Sequence, residues 1–259
     1  MLNYRNLNIL FFSVLAVIIV AEYFFSQICF LPVFVLVAVY LALIAWGSSK
    51  IQLDFYFTSL HRGNTEKKEI ALTFDDGPHP EFTPMVLDLL DKYQVKATFF
   101  CIGKQAEQHP DIVSAATEKN HLAGNHSYSH SLLFDLFSPR KMENELNRTT
   151  EIILQTTGKK PKLFRPPYGV TNPLLKKALK KTGLVSVGWS VRSFDTVKST
   201  EQVLEKLKRE THPGAIILLH DTHEKIIPIL TAFLPWLVQN GYGVVPLDDL
   251  LKIQAYESN

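Results

Sequence analysis

Apolar and polar positions divide this chain into two unequal parts. Residues 7–25 and 28–46 form two nearly unbroken apolar runs, interrupted by little except Glu22. Each approaches the roughly 20 apolar residues that a helix needs to cross a bilayer while satisfying its own backbone polar groups. The pattern predicts two membrane-crossing helices joined by a tight turn. Tyr23, Phe24 and Phe25 beside Glu22, and Trp46 before Gly47-Ser48-Ser49-Lys50, stand where interfacial anchors belong. A cleaved signal peptide is the weaker reading of the first run, because no small-residue cleavage pattern follows it and a second run comes at once.

Beyond residue 68 the rhythm changes to short apolar runs of strand length alternating with longer amphipathic stretches. Strands are predicted at 69–74, 97–102, 121–124, 163–165, 184–189, 215–219 and 243–246. Helices are predicted at 84–93, 105–119, 139–155, 173–181, 200–209, 225–239 and 247–254. Repeated strand-then-helix units imply parallel strands with right-handed crossovers and a sheet covered on both faces. An open doubly wound sheet and a closed barrel both satisfy that pattern, and in both, functional residues collect at the C-terminal strand ends. The expected organisation is a membrane anchor at 1–49, a polar linker at 50–68 with Gly63-Asn64-Thr65 as a turn, and an α/β domain at 69–259.

Composition narrows the partners. Lys and Arg number 27 against 25 Asp and Glu, a net charge of +2 spread along the chain, so no continuous basic surface for nucleic acid is expected. Of the 2 cysteines, Cys29 lies in an apolar run and Cys101 follows one; both read as small buried hydrophobes.

Polar residues cluster at the predicted strand ends. Thr73-Phe74-Asp75-Asp76-Gly77-Pro78 ends the first strand with adjacent carboxylates, which repel unless a positive charge stands beside them. A cation ligated by one carboxylate, with the other free to take a proton, resolves that cost; alone, Asp-Asp-Gly is also an ordinary solvated turn. Asn125-His126-Ser127-Tyr128-Ser129-His130 follows the third strand, and in a helical turn its two imidazoles would share a face. Asp76, His126 and His130 then form a three-ligand set with open positions, the pattern of a catalytic zinc site. The fourth strand ends in Arg165-Pro166-Pro167-Tyr168-Gly169, which would hold Arg165 rigidly enough to keep a neighbouring carboxylate ionised and oriented. Trp189 to Thr196 leaves the fifth strand, and Ala215 to Leu219 runs into His220-Asp221.

These residues resemble the polysaccharide deacetylases that share the NodB homology domain, also called carbohydrate esterase family 4. The resemblance spans roughly residues 69–250, with five motifs in order. It implies a distorted seven-stranded (β/α) barrel and a divalent metal, zinc foremost with cobalt, manganese or nickel as alternatives, held by Asp76, His126 and His130. It further implies Asp75 as catalytic base steadied by Arg165, an oxyanion contact from the Tyr168 N–H, and His220 as general acid tuned by Asp195. Leu218 would line the acetyl pocket, with Pro167 and Trp189 also at the substrate. The fourth motif departs from the family pattern: Thr196 stands where Trp is common and Arg192 where an acid is frequent, which affects the sugar groove.

The resemblance implies removal of N-acetyl groups from an N-acetylglucosamine-containing polysaccharide. The alternatives are an O-acetyl esterase using the same site and an inactive, membrane-tethered carbohydrate-binding protein. Arg5 and Lys50 flanking the apolar runs would place both ends in the cytoplasm. Polymeric envelope substrates lie outside, and the catalytic domain is expected there, anchored to the cytoplasmic membrane.

Overall fold

The structure, a computed structural model, describes residues 3–25 and 30–257. The turn expected between the apolar runs, and Cys29, lie outside the described residues. Helices α1 (Tyr4–Phe25) and α2 (Phe30–Ser49) follow the two runs, each long and apolar enough to cross a membrane. Only 6% of each apolar window is buried within the molecule, so these are not core helices of the domain.

The domain is built on parallel strands: β1 (Glu69–Asp75), β2 (Thr98–Cys101), β3 (Leu122–Asn125), β4 (Leu163–Phe164), β5 (Val185–Ser186), β6 (Val191–Arg192), β7 (Ile216–His220) and β8 (Gly243–Val244). They are ordered β5-β4-β3-β2-β1-β7-β6, with β8 paired to the start of β1. This curled sheet is the distorted (β/α) barrel that the alternating pattern and the motif resemblance implied. Seven of the strands are legible as apolar runs; β6 is a single Val191-Arg192 step inside the polar stretch after Trp189 and offers no apolar run to read.

Strand β1 shows why the site lies where it does. Side chains alternate across a strand, so Ile70, Leu72 and Phe74 face the outer helices, packing with Leu90 and Phe233. Helices α3 (Phe82–Lys92) and α9 (Ile226–Gln239) carry those partners. Ala71 points to the other face, among Phe100, Val187, Trp189 and Leu218. Thr73 and Asp75 share that inner face, so the strand delivers a carboxylate to the top of the barrel interior.

Other helices follow the predicted periods closely: α6 (Pro139–Thr157), α7 (Pro173–Thr182), α8 (Thr200–Glu210) and a short α10 (Leu247–Leu251). The single helix expected at 105–119 is instead two, α4 (Gly103–Gln108) and α5 (Pro110–Glu118). Pro110 has no N–H to donate back and its ring clashes with a continuing helix, so it starts a new helix at its first position.

Residues 50–68, expected as a linker, are laid into the barrel. The Leu60 N–H donates to the Ser186 carbonyl at 2.9 Å and the Gly188 N–H donates to the Leu60 carbonyl at 2.9 Å. The Gly63 N–H donates to the Gly214 carbonyl at 2.8 Å, and the Ser59 and Ser186 hydroxyls pair at 2.8 Å. Leu60 thus bridges to Val187 and Arg62 to Ala215, filling the opening between the β5 edge and β7. Below it, Phe55 and Tyr56 pack with Leu7 of α1, and the Tyr4 N–H donates to the Phe55 carbonyl at 2.9 Å. Leu60→Pro removes the donor to Ser186 and should lower domain stability by about 1–3 kcal/mol. Thermal unfolding of the detergent-solubilised chain tests this; an unchanged Tm would show that the segment does not close the seam.

Candidate active site

Asp75 ends β1 in a fully buried ion pair. Arg165 Nη1 donates to Asp75 Oδ1 at 2.8 Å and to Thr73 Oγ1 at 2.7 Å. Its Nε and Nη2 donate to the Val187 and Gly188 carbonyls at 3.3 and 2.8 Å, and its guanidinium lies 4.2 Å over the Phe100 ring. Burial pulls the Arg165 pKa down while Asp75 pushes it back up. A side chain with this many partners cannot swing, so the carboxylate it grips has one orientation.

Asp76 follows in a left-handed conformation (φ 74°), which turns its side chain away from that of Asp75. Gly77 comes next because space is lacking: a Cβ there would sit 2.5 Å from both Asp221 carboxylate oxygens. Asp76 Oδ1 lies 3.3 Å from His126 Nε2 and 3.3 Å from His130 Nε2, and it is buried with no hydrogen-bond partner. Burial raises the Asp76 pKa, but His126, His130 and His220 outweigh it and hold the carboxylate well below its usual range.

The two imidazoles do not meet through a helical turn, as their spacing suggested. Residues 126–130 are irregular, with Ser127 (φ 61°) and His130 (φ 46°) left-handed. The Asn125 carboxamide builds this turn: its Oδ1 accepts from the Ser127 N–H at 2.9 Å, while its Nδ2 donates to the Leu146 carbonyl at 2.7 Å and to Thr150 Oγ1 at 3.0 Å. His126 Nδ1 lies 2.7 Å from the Arg165 carbonyl and must donate to it, so that whenever the ring is neutral its Nε2 lone pair faces Asp76.

Asp76, His126 and His130 each offer one ligand atom, and these atoms lie within 4.8 Å of one another. One imidazole and one carboxylate thus direct lone pairs at the same point, with a second imidazole beside them. This donor set, an orphaned carboxylate oxygen included, fits a divalent cation of nitrogen and oxygen preference with open positions.

On the far side of Asp76, His220 Nδ1 lies 2.8 Å from Asp195 Oδ1, and the His220 N–H donates to Asp195 Oδ2 at 2.8 Å. The Ser193 hydroxyl donates to Asp195 Oδ1 at 2.8 Å, and His223 Nε2 approaches Asp195 Oδ2 at 3.4 Å. Burial disfavours the charged imidazole, but the Asp195 hydrogen bond and charge, with Asp75 and Asp76 beyond, push the His220 pKa up to about 9.

These groups share one cleft of about 430 Å³ whose wall includes Leu218, Trp189, Phe194, Val197 and Tyr168. Tyr168 is left-handed (φ 58°), its hydroxyl donating to the His130 carbonyl at 3.2 Å. Pro167, expected at the substrate, is buried behind this turn, and Pro166 stands in the cleft wall. The prolines hold an extended approach before the turn, which brings the earlier one forward. Where Thr196 stands instead of Trp, Phe194 supplies an aromatic wall, and the Arg192 guanidinium lies 4.9 Å over its ring.

Thr73, Asn125, Ser193 and Phe194 stood in the quoted motifs without a role, and His223 was not singled out; all five act on neighbours through hydrogen bonds, close polar approaches or ring contacts, which spacing along the chain does not show. Asp221 was quoted without a role. Buried, it accepts from the Thr83 hydroxyl at 2.5 Å, and burial raises its pKa to about 7. Cys101 is buried as expected, and burial pushes its thiol far above its ordinary pKa.

A (β/α) barrel with an Asp-His-His group suited to a metal and two flanking acid–base pairs at its C-terminal strand ends defines the class. Residues 62–187 match the sequence profile of the polysaccharide deacetylase family. The chain is 38% identical over 184 residues to the peptidoglycan-N-acetylglucosamine deacetylase PgdA of Listeria monocytogenes, covering 71% of this chain but only 39% of that protein's length. It is 33% identical over 200 residues to the peptidoglycan-N-acetylmuramic acid deacetylase PdaA of Bacillus subtilis, covering 75% and 76% respectively. The crystal structure of the Bc1960 peptidoglycan N-acetylglucosamine deacetylase superposes with a TM-score of 0.72 at 33% identity, over 77% of this chain and 95% of that one. The chain belongs to the polysaccharide deacetylase family.

The raised His220 pKa has a sign. Protonated His220 stabilises the folded state through Asp195; that contribution is fully present below the ordinary value of 6.5 and is lost as pH rises through about 9. A proton-detected titration of the His220 ring should show a midpoint well above 6.5 that drops by more than one unit in Asp195→Asn. No change in that variant would remove Asp195 as the cause.

Breaking the buried pair should be costly, because one charge is left without its partner. Arg165→Met is expected to destabilise the domain by about 3–5 kcal/mol, read by urea denaturation in detergent.

Proposed function

We propose that this chain is a membrane-anchored hydrolase that removes N-acetyl groups from an N-acetylglucosamine-containing envelope glycan, peptidoglycan-like or chitooligosaccharide-like. The observation that carries the reading is one cleft holding the Asp76, His126 and His130 ligand atoms within 4.8 Å, flanked by Asp75–Arg165 and His220–Asp195 pairs at 2.8 Å each. The named activities of the Listeria, Bacillus subtilis and Bc1960 proteins support an amide-linked acetyl group on a peptidoglycan-like polymer.

Asp76, His126 and His130 would hold the cation, with zinc the first choice for this donor set. When bound there, a divalent cation supplies Lewis-acid activation of water and of the acyl carbonyl. Asp75, ionised and aimed by Arg165, accepts the proton of the attacking water. The backbone N–H of Tyr168, presented by its left-handed turn, donates to the oxygen that gains negative charge. His220, held protonated and oriented by Asp195, donates to the departing amine, and acetate and a free amino sugar leave. Leu218 gives the acetyl methyl an apolar seat, while Trp189 and Phe194 face the sugar.

Helices α1 and α2 serve as the membrane anchor, with 69–259 as the catalytic domain on the extracytoplasmic side, where envelope glycans lie. Segment 50–68 joins the two as part of the barrel wall. Protease treatment of intact spheroplasts should digest the domain; a protected domain would place it in the cytoplasm.

Asp75→Asn and His220→Ala should each slow acetate release from an N-acetylated oligosaccharide by roughly 10² to 10⁴. Wild-type turnover in either variant would overturn the assigned roles. Metal content of the purified chain should fall in Asp76→Ala and His126→Ala, and chelation should abolish turnover until zinc is returned. Release from a matched O-acetylated oligosaccharide alone would make the enzyme an esterase.

A further inference from the structure

Directly after His130 the chain carries Leu132, Leu133 and Leu136, which are 83%, 60% and 78% exposed. Three leucines so displayed on one short loop, while Phe134 between them is buried, form an apolar surface with no covering from the described residues.

This loop is coupled both to the cleft and to the end of the apolar helix pair. On the cleft side, Tyr168 donates to the His130 carbonyl at 3.2 Å, two residues before Leu132. On the helix side, Asn172 Nδ2 donates to the Asp135 carbonyl at 3.0 Å, and the neighbouring Thr171 N–H donates to the Ser48 carbonyl, in the last turn of α2, at 3.0 Å. Gln52, just beyond α2, donates to the carbonyl of the cleft residue Trp189 at 2.9 Å. The helix pair therefore joins the domain at the rim of the cleft and not at the opposite end of the barrel. The C-terminal end of α2 and the leucine loop thus lie at the same end of the barrel.

Basic residues follow close by in sequence. Arg140 and Lys141 stand in the first turn of α6, directly after the loop, and Lys177 stands in α7, just past Asn172; all three are exposed. Exposed apolar side chains followed by exposed cations suit the interface of a bilayer with anionic lipids.

We propose that Leu132, Leu133 and Leu136 are seated in the bilayer beside the helix pair, so that the cleft opens along the lipid surface and takes acetylated sugar tethered to a lipid in preference to free glycan. This rests on the membrane anchor and hydrolase activity proposed above. A loop held at the interface fixes the height of the cleft, and confinement of substrate and site to one surface raises their effective concentration.

The test uses the full chain reconstituted in vesicles of phosphatidylglycerol and phosphatidylethanolamine. In a Cys29→Ser, Cys101→Ala background, an environment-sensitive fluorophore is attached through Leu132→Cys, or through Val238→Cys near the end of α9 as a control. Phospholipids brominated near the top of their acyl chains should quench the label at position 132 and leave that at 238 unquenched. Equal and negligible quenching at both positions would overturn the seating. Separately, the triple variant Leu132→Ser, Leu133→Ser, Leu136→Ser should lose about tenfold or more of its turnover on a lipid-tethered N-acetylated oligosaccharide in the same vesicles. Its turnover on the soluble oligosaccharide should stay at the wild-type level. Equal rates on the tethered substrate before and after substitution would overturn the preference, as would parallel loss on both substrates. A wild-type chain inert on both substrates would instead defeat the hydrolase reading, while the quenching still decides the seating.

Discussion

Two adjacent carboxylates at the end of β1 are the constraint around which the site is organised. Side by side in a buried position, they cannot both stay ionised without positive charge close at hand. The left-handed residue Asp76 sends one of them outward to three imidazoles, and the pleat of β1 sends the other inward to Arg165. That separation divides the chemistry: the inward carboxylate is gripped by a cation that cannot leave, and the outward one shares its oxygen with groups suited to a metal.

The compensating charges come from different parts of the chain because each strand end supplies one. Strand β3 delivers Asn125 and the turn that carries both histidines, β4 delivers Arg165, and β7 delivers His220. Arg165 also ties three of these together, since its carbonyl receives His126 Nδ1 while its guanidinium holds Asp75 and Thr73. Burial makes this arrangement expensive to form and more expensive to break in part, which favours one geometry over a mixture.

The connector behaves as structure because the sheet is not closed by its own strands. With β5 and β6 at its ends, the barrel leaves backbone groups and the inner apolar face open, and Leu60 to Gly63 covers them. This also brings the helix pair against the rim of the cleft. A polar, turn-rich segment gives no periodic sign that it will pair with a distant edge, so its packing was invisible before the sheet was assembled.

Local pattern alone determined the two apolar spans, the alternation of strands and helices, and the clustering of acid, imidazole and guanidinium groups at strand ends. These depend on spacing along the chain and on the side-chain chemistry of short segments. Only the tertiary structure decided that His126 and His130 meet through an irregular turn, that Pro166 and not Pro167 meets the cleft, and that Phe194 adds an aromatic wall beside Thr196. Each of those outcomes hangs on φ angles and on contacts between residues far apart in the chain. Such contacts are set by packing the whole barrel and carry no signature in neighbouring residues.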